Sequence, residues 1–198
     1  MIFSIIKECY FVNYEFKISR GKEKMIVMDV KINNFYAFKD FHMNMSYPKK
    51  IVNSYIRDEH LKERPNFRYK KVNIIMGANA TGKTSFGQML MSVFNFIHKK
   101  ETAYLINRIC DVKKEANFSI DFVMNRFTLY SMQIIIHPVN DDDYTENNIE
   151  VKIDKIKINK NDSYESCKKR MESKNNLSEY TASYVEELDK LSRLSWLF

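Results

Sequence analysis

Lys83 and Thr84 close an octapeptide, Gly77-Ala78-Asn79-Ala80-Thr81-Gly82-Lys83-Thr84, that fits G-x-x-x-x-G-K-[ST] at every fixed place. The chain has four glycines, at 21, 77, 82 and 87, and three of them fall in or beside this stretch. Glycine is used where a backbone must turn tightly or approach another group closely. Gly77 lets the chain turn off the preceding strand, and Gly82 lets N–H groups approach an oxygen with no Cβ in the way. Loop amides and a following helix N-terminus make an anion site. In that arrangement Lys83 sets a charge against β- and γ-phosphates. The Thr84 hydroxyl ligates Mg²⁺, and Ser85 reaches an α-phosphate. The phosphate-binding set is therefore Gly77, Ala78, Asn79, Ala80, Thr81, Gly82, Lys83, Thr84 and Ser85, with Thr84 as the metal ligand.

Such a loop needs a strand before it and a helix after it. Val72-Asn73-Ile74-Ile75-Met76 is mostly apolar and β-prone, as expected of a central strand covered on both sides. Phe86, Met89, Leu90, Val93, Phe94 and Ile97 recur at helical spacing and predict one buried face. Lys99 and Lys100 close that helix where its dipole favours cations.

Alternation from Met28 to Asn33 and from Phe41 to Ser46 predicts an antiparallel hairpin, with Met28, Val30 and Ile32 on one face. Residues 47–70 are mostly polar, contain Pro48 and Pro65, and read as a long surface loop. A short helix is expected over 102–110, with strands over 118–123 and 127–136 turning at Asn125-Arg126. Ile149, Val151 and Ile153 alternate, then slip to Ile156 and Ile158, which predicts a bulge or a strand break at Asp154-Lys155. Residues 159–176 are polar. Tyr180, Tyr184, Leu188 and Leu191 then take helical spacing before Leu194, Trp196, Leu197 and Phe198.

The 198 residues suffice for one ordinary domain, and 44% hydrophobic content argues against disorder. A net charge of +7 permits nucleic-acid contact without requiring it. Cys9, Cys110 and Cys167 give neither a disulfide framework nor metal spacing, which fits a reducing compartment. His42, His60, His98 and His137 read as structural or surface residues, and Asn140-Asp141-Asp142-Asp143 reads as a solvated loop ahead of a metal site. No run approaches the ~18 apolar residues of a spanning helix. The expectation is a cytoplasmic protein with no membrane partner.

The hairpin Ile32-Asn33-Asn34-Phe35-Tyr36-Ala37-Phe38-Lys39-Asp40-Phe41, a variable loop and then Val72 to Thr84 together resemble the N-terminal lobe of ABC-class ATPases of the SMC, RecF and OLD type, often described as AAA-family ATP-binding proteins. Asn79, followed by the small Ala80 and Thr81, is similar to that family's loop. The resemblance covers about 25–100 well and 101–160 in outline. It implies ATP and Mg²⁺ as cofactors and heads that dimerise around two nucleotides. It also implies a role on DNA, in repair or phage-defence complexes.

The expected fold is α/β: a P-loop NTPase lobe with an N-terminal antiparallel β-hairpin and further antiparallel strands, followed by a helical tail. Residues 1–24 form an N-terminal extension, either an added strand or a loose segment, 25–160 the ATP-binding lobe, and 161–198 a tail that starts an arm or linker. Tyr36 and Ala37 stand where the family often has a basic and then a small residue. Tyr36 or Phe38 could stack on adenine or pack the hairpin.

The second half of such an ATPase is not visible. No apolar run ends in Asp-Glu, and Leu177-Ser178-Glu179 and Leu191-Ser192-Arg193 lack the glycines of a signature loop. Gln133 sits in an apolar run, a poor setting for a Mg²⁺ sensor. No catalytic residue is assigned, and Asp121 and Glu150 are the first carboxylates to test. The expected partner is a missing C-terminal lobe or second subunit, with a head-to-head dimer once complete. A stand-alone ATP-binding interaction module without turnover is the alternative. A GTPase would match Asn159-Lys160-Asn161-Asp162, but no glycine follows Gly87 to build the DxxG element that must come before it.

Overall fold

The computed structural model describes residues 9–12, 25–49, 55–79, 81–124, 127–139 and 144–175. Asn125-Arg126, the 140–143 aspartate stretch and the apolar C-terminal positions lie outside these residues. The fold is α/β, centred on an antiparallel sheet of five strands. β1 (Cys9–Val12) is followed by β2 (Ile26–Asn33), β3 (Phe41–Asn44), β4 (His60–Leu61), β5 (Arg64–Arg68) and β6 (Val72–Ile75). Helices α1 (Lys83–Lys99) and α2 (Ala103–Ile106) come next. Then come β7 (Ala116–Met124), β8 (Thr128–Ile136), β9 (Ile149–Lys157) and α3 (Tyr164–Asn175). The main sheet has the order β3-β2-β7-β8-β9, while β1 pairs with β6 and β4 with β5.

The expected hairpin is β2 and β3, in register from Ile32 opposite Phe41 to Asp29 opposite Asn44. Its first face is not uniform. A register shift between Val27 and Asp29 puts Val27, Val30 and Ile32 in one core cluster and Met28 in another. Neither the bulge nor the strand break expected at Asp154-Lys155 occurs, since β8 and β9 pair without interruption from Ile136–Ile149 to Thr128–Lys157. The slip in the sequence has another cause. Ile149 and Val151 face the larger cluster, whereas Ile156 and Ile158 belong to the second. The apolar pattern changes face because the cover changes face along the strand.

The larger cluster fills the space between the sheet and α1, where Phe86, Met89, Leu90, Val93, Phe96 and Ile97 are buried. Phe96 is fully enclosed and Phe94 only partly, so the buried stripe is phased slightly differently from the expectation. The helix ends on Lys100 in the left-handed conformation (φ 60°), whose N–H bonds to Phe96 O. The second cluster packs α3 and the β4–β5 hairpin on the other face. Residues 55–70 are therefore more than a surface loop. Leu61, Phe67 and Tyr69 are buried there because β4 and β5 pair and turn their apolar side inward. No helix among the described residues is long and apolar enough to cross a membrane.

β6 departs most from expectation. It pairs only with β1 among the described residues. Asn73 is buried while Val72, Ile74 and Met76 are 41%, 55% and 72% exposed. The apolar composition reads as a strand covered on both faces, yet one face is open.

Candidate functional site

The glycine-bounded loop runs from the end of β6 into α1. Gly82 is the N-cap of α1 and has φ 89°, a left-handed conformation that a side chain would strain. A Cβ on Gly77 would lie 2.7 Å from Thr81 Oγ1, too close to be tolerated unless Thr81 moves. Backbone conformation thus favours glycine at 82, whereas at 77 the close approach is to the Thr81 side chain. Lys83 folds back over the loop, and its Nζ donates to Gly77 O at 2.7 Å and Ala78 O at 2.6 Å. Thr81 Oγ1 donates to Ala78 O at 2.9 Å.

The amides that begin α1 have no carbonyl one turn back to receive them. No side chain caps the helix, and its first turn carries no acid. Its N-terminus therefore keeps its partial positive charge beside the Lys83 ammonium. The Thr84 and Ser85 hydroxyls sit at this end, with Thr84 exposed and Ser85 half-buried. Ala78 and Asn79 are exposed at the loop's outer side. Ala80 lies outside the described residues. Together these groups offer several donors, one cation and two hydroxyls, a set suited to an oxyanion with a hard cation beside it.

The β2–β3 connection braces this loop. Asn34, at φ 60°, sends Nδ2 to Asp111 O (2.8 Å) and Lys114 O (3.0 Å) and accepts the Asp111 N–H at Oδ1 (2.9 Å). Phe35 is fully buried. Phe38 then lies 3.5 Å from where a Cβ on Gly82 would sit. An aromatic row continues inward, from Phe38 to Phe41 (ring centroids 5.0 Å) and from Phe41 to Phe86 (5.3 Å). The hairpin motif and the glycine loop, 44 positions apart between Phe38 and Gly82, form one packed unit. Tyr36 turns elsewhere, with the Arg108 guanidinium 5.5 Å from its ring centroid and its hydroxyl buried without a partner.

The reserve carboxylates are not at the loop. Asp121 lies on the sheet face opposite α1, because its neighbours Ile120 and Phe122 fill the α1 side. It accepts Ser131 Oγ (2.6 Å), Tyr164 OH (2.7 Å) and Lys168 Nζ (2.7 Å). Glu150 pairs with Lys152 at 2.8 Å on that same far face, opposite to Val151. Gln133 is there too, between the inward Met132 and Ile134. It lines a polar cleft of about 500 Å³ with Lys31, His42, Ser119, Ser131 and Lys168.

Sequence reasoning missed Tyr164 and Lys168, whose helix looked merely polar. It also missed the bracing role of Asn34, whose signal was a left-handed residue type at a strand end. Ser131 gives its proton to Asp121 while Lys168 is ion-paired there. The cluster is a satisfied buried network without an activated nucleophile. Among the described residues no three His, Cys, Asp or Glu side chains group as metal ligands.

Asp29 lies directly opposite Asp121 on the adjacent strand, and His42 Nε2 is 2.7 Å from its Oδ2. Burial pushes the Asp29 carboxyl above the usual carboxylate range. The His42 hydrogen bond and charge pull it back in part, and the Asp121 charge raises it again. The folded chain then holds this proton more tightly than the unfolded chain, whose value is about 3.9. Asp29 therefore adds stability as pH falls through its folded pKa towards the unfolded one. The melting temperature of the wild type minus that of Asp29→Asn should rise between pH 7 and about pH 4. A difference that stays flat or falls across this range would contradict the assignment.

No protein family, curated protein or solved structure matches the chain.

Proposed function

We propose that residues 77–85 bind the phosphates of ATP with Mg²⁺, and that the chain is the N-terminal nucleotide-binding lobe of an SMC-, RecF- or OLD-like ATPase, a P-loop NTPase lobe. The observation that carries this reading is the packing of Phe38 on Gly82. It joins the two separate sequence elements behind the resemblance into one surface beside a helix N-terminus. In this reading the loop and first-turn amides hold the phosphates, Lys83 leaves the Gly77 and Ala78 carbonyls for phosphate oxygens, and Ser85 supports the α-phosphate. Thr84 would ligate Mg²⁺, which neutralises phosphate charge when bound. Phe38 acts through Gly82, holding the loop in its left-handed turn.

Hydrolysis requires more than a phosphate cradle: a positioned water or base and a second anchor for the metal. Asp121 and Glu150 face away from α1, which supports a chain that completes its catalytic site only with a second lobe. The exposed Val72, Ile74 and Met76 face of β6 supports the same reading, since a partner would cover it. A role on DNA, in repair or defence, is the pathway that the family resemblance favours. The same open face also suits a stand-alone ATP-binding interaction module.

Steady-state phosphate release separates binding from turnover. The purified chain should bind ATP and hydrolyse it at or near background. Supplying a complementary lobe should raise the rate, and Lys83→Ala or Thr84→Ala should abolish that gain. Robust hydrolysis by the chain alone, lost in Lys83→Ala, would overturn the need for a second lobe.

A further inference from the structure

A row of polar side chains crosses the sheet face opposite α1: Asn44, Asp29, Asp121, Ser131 and Asp154, each facing the next on the adjoining strand. Two of these, Asp29 and Asp121, are buried carboxylates on neighbouring strands. Such a pair costs stability unless cations compensate it. The compensation comes from two different elements. β3 supplies His42, 2.7 Å from Asp29. α3 supplies Lys168, whose Nζ lies 2.9 Å from Asp121 Oδ1 and 2.7 Å from Oδ2, and Tyr164, whose hydroxyl donates to Oδ2.

α3 also reaches the end of the hairpin directly, where Ser46 Oγ donates to Glu165 Oε1 at 3.0 Å. Its apolar contribution is a narrow stripe of Tyr164, Cys167 and Met171. Other charged groups turned to this face include Lys31 on β2, Glu150, Lys152 and Asp154 on β9, and Glu165 and Glu172 on α3. None of them replaces Lys168 in contact with Asp121.

We infer that α3 is an ionic latch: Lys168 seated on Asp121 locks the helix to the sheet and, through the facing Asp29 and His42 and through Ser46–Glu165, holds the β3 side of the hairpin whose turn places Phe38 on Gly82. Unseating α3 leaves two facing carboxylates with one half-exposed histidine between them and water. Among the described residues β3 is an edge strand paired in the sheet only with β2, with the 68–70 segment bonded just beyond its end, so it has a ladder on one side only to hold it.

The inference does not rest on nucleotide binding and is tested without nucleotide, by native-state hydrogen exchange on the full chain. In Lys168→Met the amides of 165–174 and of 41–46 should exchange at least about tenfold faster, while those of α1 and of 116–120 keep their protection. Lys168→Arg, which keeps the cation, should retain wild-type protection. The double variant Asp121→Asn, Lys168→Met should recover most of the loss, because no unpaired charge remains. Should Lys168→Met fail to fold, Asp121→Asn carries the same comparison of 165–174 and 41–46 against α1. Faster exchange in α3 with 41–46 unchanged, an equal acceleration throughout the core, or no change in α3 would each overturn the latch.

Discussion

Phe67→Ala is expected to destabilise the chain by about 3–5 kcal/mol, the range for emptying a fully buried aromatic site. Phe67 is wholly enclosed on β5. It meets Tyr164 of α3 edge-on at 6.3 Å between ring centroids and shares a cluster with Met28, Leu61, Val123, Leu129 and Ile156. Its ring is the joint between the β4–β5 hairpin, the bulged end of β2 and α3. Removing it opens a cavity that three elements would have to close at once. In a domain of this size each kcal/mol corresponds to roughly 2–4 °C in melting temperature. Urea denaturation with an unchanged slope and a lower midpoint would confirm it. A midpoint within error of the wild type would show that this part of 47–70 is the surface loop its composition suggests.

Lys83→Ala should weaken ATP–Mg²⁺ binding by about 1.5–3 kcal/mol, the scale of a lost charge-assisted hydrogen bond, or roughly 10- to 150-fold in Kd. The same substitution should leave stability without nucleotide nearly unchanged. Its hydrogen bonds to Gly77 O and Ala78 O are exposed, and water replaces them. That contrast matters, because a variant that lost binding by unfolding would lose both. Isothermal titration beside a thermal melt reads the two quantities separately. Equal affinity in the two proteins would remove Lys83 from the role assigned to it.

The part of the fold set by local rules was legible. Alternation placed β2 and β3 as an antiparallel hairpin, helical spacing placed α1, and the glycine pattern placed the loop between β6 and α1. What escaped depends on which surface covers which face. The slip from Ile153 to Ile156 looks like a bulge to any period count, whereas a strand passing from one core cluster to another gives the same pattern. The real irregularity, at Met28, was hidden because Met28 keeps the alternating apolar pattern while packing on the other side. Val72, Ile74 and Met76 have the composition of a central strand, and composition cannot say whether their cover lies within the same chain.

At the candidate site the loop residues were readable one by one, since each fixed position has a local reason. The brace was not. Phe38 reads as one more aromatic of a hairpin, and only the folded backbone brings it to Gly82. Likewise Lys168 lies in a stretch, 159–176, that reads only as polar, and its pairing with Asp121 spans 47 positions. Long-range pairs of this kind leave no periodic trace.

The central claim is that the 77–85 loop takes the phosphates of ATP, and the scarcity of glycine makes it directly observable. A chain with four glycines gives four glycine amide signals in a proton–nitrogen correlation spectrum, those of Gly21, Gly77, Gly82 and Gly87. Titration with ATP and Mg²⁺ should move the Gly77 and Gly82 signals saturably and together, leave Gly21 in place, and fail to do so in Lys83→Ala. Gly77 and Gly82 signals that stay fixed through millimolar ATP–Mg²⁺, while the protein remains folded, would contradict the account.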